Sequence, residues 1–569
     1  MQTRKLLRVF VLSLIFCFLV PSSHAREPVH ARKAMVVTQE PIAADVGLAI
    51  LKSGGNAVDA AVAVGFALAV THPFAGNLGG GGFMLIRLAD GGTTFLDFRE
   101  TAPAKASHDM YLDSRGNLTN DSVAGWRASG VPGTVRGLEF AHQEYGHRAW
   151  AELLKPAIQL AADGVPVSYA LMQSMRDPDY HLADFAESKR IFLKGGAYYD
   201  WNETFRQPEL ARTLERIARL GAKDFYAGET AHMIAEAMAK NGGLITLDDL
   251  RDYRVVERKP LEGDYKGYHI ISSPPPSSGG VGLLQMLGML EGSGYDKTGA
   301  GSAATCHYLA EVMRRFYADR NEYLGDPDFV KNPVRALLDP GYIRARRSSI
   351  DPAHTTPSNQ VNPGKLSGSE GAQTTHYSIV DEQGNVVAVT YTLNDGFGSG
   401  VTIPGAGFLM NDEMDDFAAK PGTPNLFELV QGEANSIAPG KRPLSSMVPT
   451  IVLKDGKPFL VLGAPGGSRI ITGVLQVMLN VMDFGMNVQD AIDAPRVHHQ
   501  WRPDRLDVEP GISPDTAALL QRMGYELRFR DKHGDPVSIG RVEAILIDHG
   551  WLQGGHDGRG YSSGKAAGY

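Results

Sequence analysis

The sequence predicts an α+β protein in which helices cover antiparallel sheet. Two observations lead there. Helical texture dominates the first part of the chain, strand texture follows Thr374, and helix returns near Arg469. Within the strand-rich part, a hairpin has a register that can be counted. In order, Glu40 to Thr71 is Ala-rich and helical, interrupted by the turn Ser53-Gly54-Gly55. Gly76 to Gly82 is a glycine-rich turn into a strand, Phe83 to Leu88, with a second strand at Thr93 to Arg99. Trp150 to Lys240 is mostly helical. Ile271 to Gly280 is a Pro/Ser/Gly turn before the helix Val281 to Glu291, and Ala304 to Tyr323 is helical again. Strands are expected at 375–381, 386–393, 448–454 and 459–463, and a helix at Arg469 to Met482. No internal repeat is visible.

The 569 residues suffice for a large core, and 43% hydrophobic with 21% charged residues is ordinary globular composition. The N-terminus differs. Arg4, Lys5 and Arg8 precede Val9 to Val20, where Ser13 is the sole polar residue, and Ser23-His24-Ala25 places small residues where a signal peptidase reads. A stretch this short cannot span a bilayer, so residues 1–25 read as a secretory leader and the mature protein as periplasmic or secreted. No later segment is apolar enough for a membrane span. Losing the leader takes the formal charge from −8 to −11. An acidic chain with no dense Lys/Arg stripe has no footprint for nucleic acid. Of two cysteines, Cys17 lies in the leader. Cys306 therefore has no intrachain partner and reads as a buried apolar group.

The most informative junction is at Thr374. From Ala353 to Gln373 the chain is polar and rich in Gly, Ser, Pro and Asn, which reads as an exposed, flexible linker. From Ile379 to Leu393 apolar and β-branched residues take over. A loop before an ordinary strand accounts for composition alone. A self-cleaving precursor accounts for the sharp boundary as well. Cleavage between Gln373 and Thr374 would give Thr374 a free α-amine, with a pKa of roughly 7.7–8.0, able to take the proton of its own hydroxyl. The turn Asp381 to Asn385 has a loop at 382–384, so paired numbers sum to 766 and Thr392 falls opposite Thr374. Asn394 follows on the same face. A one-residue slip would reverse the faces.

Several motifs share a pattern with one known family. They are Leu96-Asp97-Phe98-Arg99-Glu100, Gly130-Val131-Pro132-Gly133, Thr374 to Ser378, Asn411 to Phe417, Arg442 to Met447, Pro465 to Arg469, and the terminal Ala567-Gly568-Tyr569. With these in family order over nearly the whole mature length, the chain resembles the γ-glutamyltransferases (γ-glutamyltranspeptidases) of the N-terminal-nucleophile hydrolases. The resemblance implies a four-layer αββα sandwich of two stacked antiparallel sheets. It also implies self-cleavage into a large chain, 26–373, and a small chain, 374–569, that remain one globular unit.

By the same resemblance, Thr374 is the nucleophile and Thr392 its hydrogen-bond partner. Arg99, Ser445 and Ser446 bind a substrate α-carboxylate, and Asn394, Glu413 and Asp416 hold the α-amino end. An Arg fork suits a carboxylate, and acidic side chains suit an ammonium. Taken singly, Arg99 reads as a solvated charge at a strand end, Ser445-Ser446 as a turn, and Glu413 with Asp416 as an acidic loop. Gly466 and Gly467, before a helix, offer backbone N–H groups to an oxyanion, or else form a plain turn with Ser468 as N-cap. The run Gly79 to Gly82 lacks a following Gly-Lys-Ser/Thr and reads as close packing beneath the site, not a phosphate loop. Two departures from the family stand out: Glu413, where many bacterial relatives carry Gln, and Phe427, within the lid segment Pro421 to Gly432, where some members carry Tyr.

No cofactor is implied, and no metal. His142 and His147 would lie about 140° apart around a helix and so could not share one ion, while His498 and His499 read as structural hydrogen-bonders. The implied reaction moves γ-glutamyl groups from glutathione and related amides to amino acids, peptides or water. A β-lactam side-chain (glutaryl or cephalosporin) acylase of the same fold, and a non-enzymatic periplasmic solute-binding protein, are the alternatives.

Overall fold

Side-chain alternation in the strand Thr375–Val380 sets the layers. Tyr377 and Ile379 enter one core beneath the helices Pro41–Lys52 and Ala57–Thr71, and Val380 enters the other, toward a second sheet. The computed structural model describes residues 26–364, 375–560 and 563–569. The expected leader 1–25 and the expected cleavage residues Gln373 and Thr374 lie outside them.

The first sheet runs Lys565–Gly568, Met35–Thr38, Thr375–Val380, Val386–Thr392, Gly81–Arg87, Thr93–Phe98 and Val256–Arg258. The second runs Val29–Ala31, Trp551–Gly555, Glu543–Asp548, Lys457–Gly463, Thr450–Lys454, Tyr268–Ser272 and Leu261–Tyr265. Every neighbouring pair in both is antiparallel. The sheets stack face to face, with Thr375–Val380 and Val386–Thr392 against Glu543–Asp548 and Lys457–Gly463. Helices Gly279–Leu290, Ala303–Tyr323, Arg469–Met482 and Val488–Asp493 share the core of the second sheet. This is the αββα sandwich. Met35–Thr38 lies between Lys565–Gly568 and Thr375–Val380, so chain from before residue 373 is paired on both sides by chain from after it.

Ala57–Thr71 is buried at every position, as a helix apolar all round must be. Its start is fixed by a capping box between Asn56 and Asp59. Its small residues let the sheet come close: Tyr377 and Tyr391 donate to the Ala61 and Gly65 carbonyls, each at 3.0 Å. Expected and observed elements agree within a few residues. The strand expected to end at Arg99 stops at Phe98, so Arg99 is the first residue free to turn out of the sheet.

The expected exposed linker needs correction over its described part. Thr356 donates to Glu311 through its N–H (3.1 Å) and hydroxyl (2.8 Å), Ser358 N–H donates to Asp504 at 2.7 Å, and Val361 is buried. Trp501 Nε1 donates to the carbonyls of Ser358 and Val361, both at 2.9 Å. Burial opposes the Glu311 charge, yet Arg314 and Arg315 outweigh it and hold this carboxyl at about 2. The segment up to residue 364 is anchored because a charged acceptor within the helix Ala303–Tyr323 collects its polar groups. Cys306 is buried, which pushes its thiol up to about 12. No described helix is long and apolar enough to cross a membrane.

Candidate active site

The hairpin pairs six consecutive residues, Thr375 with Tyr391 through Val380 with Val386, and every pair sums to 766. Asp381 N–H donates to the Asn385 carbonyl at 3.1 Å, closing the expected three-residue loop. Thr392, at the far end, pairs with Gly81, and its hydroxyl accepts the Asn394 N–H at 2.8 Å. A Cβ on Gly80 would lie 1.9 Å from the Thr392 carbonyl, and one on Gly82 2.5 Å from that of Thr390. The glycine run is therefore close packing under the end of this strand, as expected. His376 is buried beside Thr390 and Ser378, and burial pulls it down to about 3, so the ring is neutral.

Asn394 adopts a positive φ of 82° and donates to the Asp412 carbonyl and carboxylate, both at 3.1 Å. Asn411 clamps the next turn. It donates to the carbonyls of Gly79 (2.7 Å) and Gly130 (2.9 Å) and accepts from the N–H groups of Gly130 (2.8 Å) and Glu413 (3.0 Å). The clamp fixes the 3-10 turn Glu413–Asp416 against Arg99.

Arg99 is fully buried, not solvated. Its guanidinium forms short ion pairs with both Glu413 and Asp416, donates through Nε to the Pro443 carbonyl at 3.2 Å, and lies 3.6 Å from Glu100. The residues expected at opposite ends of an amino acid thus pair directly with one another. Burial works against the Arg99 charge, but Glu413, Asp416 and Glu100 outweigh it and hold the guanidinium protonated. Burial likewise pushes Glu413 and Asp416 upward against the pull of Arg99, and pushes Glu100 up to about 7. One cation thus faces three acids, two of them in direct ion pairs with it.

Glu100 supplies a pH test. The folded protein keeps its proton to about pH 7, whereas the unfolded chain releases it near 4.5, so stability falls as pH rises between those values. Glu100→Gln removes a cost on the order of 3 kcal/mol present above pH 7. Thermal melts should show the variant gaining over the parent at pH 8 and converging with it near pH 4. An equal difference at both pH values would contradict the assignment.

Ser445 and Ser446 are buried beside this cluster, next to the carbonyls that Arg99 reaches. Ser445 Oγ accepts the Met447 N–H at 3.1 Å, and Ser446 Oγ accepts from Arg320 at 2.7 Å. A hydroxyl used as an acceptor in this way keeps its own proton to donate.

Gly466 and Gly467 have φ of 132° and 61°, a backbone that favours glycine, and precede the helix Arg469–Met482. They line a cavity of about 570 Å³ that also meets Phe427, Asp395 and Gln500. Ser468 is not a side-chain cap, because its hydroxyl donates instead to Gln500 Oε1 at 2.7 Å. Gln500 Nε2 in turn donates to the Phe427 carbonyl at 3.0 Å, and Leu426 N–H donates to Asp415 at 3.1 Å. The expected lid segment is therefore pinned by its backbone, at the cavity and at the Glu413–Asp416 turn. His142 and His498 serve structural bonds, to the Arg148 carbonyl (2.7 Å) and to Thr472 (2.9 Å), and His499 contacts Arg314.

The expected residues thus fall into a buried cluster (Arg99, Glu413, Asp416, Ser445, Ser446), a strand end (Thr392, Asn394) and a cavity wall (Gly466, Gly467, Phe427), while Gln373 and Thr374 are outside the described residues. Sequence reasoning missed Glu100, which stood inside a quoted motif. It also missed Asp412, adjacent to Glu413, and Arg320 and Gln500, which no local signal marks.

A family model described as gamma-glutamyltranspeptidase matches residues 43–569. The glutathione hydrolase proenzyme of Escherichia coli (strain K12) is 52% identical over 514 residues, covering 90% of this chain and 89% of its own. Among solved structures, a cephalosporin acylase from Bacillus halodurans superposes with a TM-score of 0.86 at 30% identity, covering 96% of this chain and 98% of that one. The Helicobacter pylori gamma-glutamyltranspeptidase matches with a TM-score of 0.57 at 43% identity, covering 61% of this chain and 97% of that one.

Proposed function

The chain belongs to the γ-glutamyltranspeptidase family, and from that premise we propose that it moves γ-glutamyl groups from glutathione and related amides to amino acids, short peptides or water. The precursor cleaves itself before Thr374, leaving fragments 26–373 and 374–569 as an exported, periplasmic or secreted heterodimer. The Thr374 amine takes the proton of its own hydroxyl, and the oxygen attacks the donor's γ-carbonyl. The N–H groups of Gly466 and Gly467 receive the oxyanion. The C–N bond breaks, the leaving amine takes the proton, and a γ-glutamyl ester remains on Thr374. Water or an acceptor amine then releases the acyl group, which gives ping-pong kinetics.

Arg99, Ser445 and Ser446 receive the α-carboxylate. Asp416, Glu413 and Asn394 receive the ammonium, Thr392 steadies the nucleophile, and Phe427 covers the site. The observation that most supports this reading is the constant register of the hairpin over six described pairs, the register expected for this site from the sequence. The Arg99–Asp416 pair favours γ-glutamyl over glutaryl donors, because a glutaryl group brings a carboxylate for Arg99 but no ammonium for Asp416, which is then left with an uncompensated buried charge.

The test is a donor panel with and without an acceptor dipeptide, run beside a denaturing gel. Two bands, activity on γ-glutamyl anilide and acceleration by the dipeptide are expected. Activity on glutaryl amides alone would favour the acylase reading.

A further inference from the structure

The cavity beside Gly466 and Gly467 holds one charge that the reaction above leaves unused. Most cationic side chains on its wall are committed: Arg528 and Arg469 to Asp507, at 2.6 and 3.0 Å, and His533 and Lys532 to Asp179, at 3.5 and 3.8 Å. Arg541 is different. It lines the same cavity, half-buried, and its guanidinium makes no hydrogen bond or ion pair with any described residue. Burial pulls its pKa down, but an arginine remains charged at any working pH. The acids whose fields reach it are otherwise engaged. Asp557 pairs with Arg496 at 3.0 Å and with Arg559 at 3.1 Å, and burial pushes the Glu543 carboxyl up, against its charged form. Neighbouring His72 is held down to about 3 by burial and by Arg541 itself, so it adds no second charge.

The backbone fixes where this side chain is rooted. Arg541 N–H donates to the Pro465 carbonyl at 3.2 Å, immediately before the glycine pair, and Gly540 Cα is 3.0 Å from where a Cβ on Gly466 would sit. The Arg541 carbonyl accepts from Gln39 Nε2 at 3.3 Å, and Gln39 Oε1 accepts the hydroxyl of Thr375, also at 3.3 Å. Arg541 is thus rooted between the glycine pair and the residue following Thr374. Arg99, which takes the donor's α-carboxylate, belongs to the separate buried cluster.

We infer that Arg541 is a specificity-determining residue. It binds the C-terminal carboxylate of the group on the amine side of the scissile bond, namely the dipeptide that leaves and the amino acid or peptide that accepts. An unpaired guanidinium in a partly dry cavity is a poor resting state and a good partner for a carboxylate. In glutathione the leaving amine carries such a carboxylate, whereas an anilide carries none. The inference rests on the γ-glutamyl reading.

The test compares the processed parent enzyme with Arg541→Gln and Arg541→Lys. For Arg541→Gln, kcat/KM on glutathione should fall about 10- to 100-fold, the span of one charge-assisted hydrogen bond, while hydrolysis of γ-glutamyl-p-nitroanilide changes less than about twofold. Arg541→Lys should recover part of the loss. Calorimetric titration with glycylglycine and its C-terminal amide reads the preference without turnover: the parent should favour the acid, and Arg541→Gln should not. Equal loss on both donors, or an undiminished preference for the acid, would overturn the assignment. A parent enzyme that favours the acid in titration but turns over neither donor would refute the γ-glutamyl reading and leave the carboxylate site standing.

Discussion

Thr374→Ala should yield one uncleaved chain and lose all measurable γ-glutamyl transfer. Without a hydroxyl, nothing attacks the Gln373 carbonyl, so no ester forms for water to open and no new α-amine appears. The same change removes the nucleophile of the proposed mechanism, and losses on the order of 10⁴-fold or more follow removal of such a group. Thr374→Ser should still mature, because the hydroxyl remains. A denaturing gel and N-terminal sequencing of the smaller fragment decide the matter. Cleavage in the alanine variant, or a fragment beginning at any residue other than Thr374, would refute the mechanism.

Asp416→Ala should mature normally and fail in turnover. Asp416 is fully buried against Arg99, and truncating one partner of a buried charge pair costs about 2–5 kcal/mol, roughly 30- to several-thousand-fold. Glu413 still pairs with Arg99, so the guanidinium keeps a counter-charge and the fold keeps its turn. The loss should therefore fall on kcat/KM for γ-glutamyl anilides, whose ammonium loses the acceptor proposed for it. Glutaryl anilides, which have no ammonium, should lose less. Equal losses on both would assign Asp416 to structure alone.

Much of this architecture was legible because local rules and global packing agree in the hairpin. Asp381 to Asn385 is a turn in any context, and alternation from there fixes which residues of each strand meet. The Ala-rich stretch around residues 57–71 announced a helix that must be enclosed. The buried cluster around Arg99 was legible only as a set of candidates, through the family resemblance. Sequence spacing carries no information on how Arg99 meets Glu413 and Asp416, more than 300 positions away. Nor could composition show that the polar stretch after Ala353 is tethered, since its partners, Glu311, Asp504 and Trp501, lie on distant elements. Arg541 shows the same limit. Its neighbours Gln39 and Pro465 come together only when the two sheets stack.

The strand Met35–Thr38, zipped on both sides by chain from beyond residue 373, would change the thermodynamics if the bond before Thr374 is cut as proposed. For the precursor, folding is unimolecular. For the cut protein it is an association reaction, so its midpoint depends on concentration, and the loop that once held the partners together no longer limits the denatured ensemble. The processed enzyme persists because withdrawing that strand requires opening the first sheet between two of its ladders. Its durability is then a matter of how slowly it comes apart rather than of where equilibrium lies. Diluted from denaturant, the uncleaved Thr374→Ala chain should regain its native spectrum at any concentration, whereas the mature pair should do so only at high concentration.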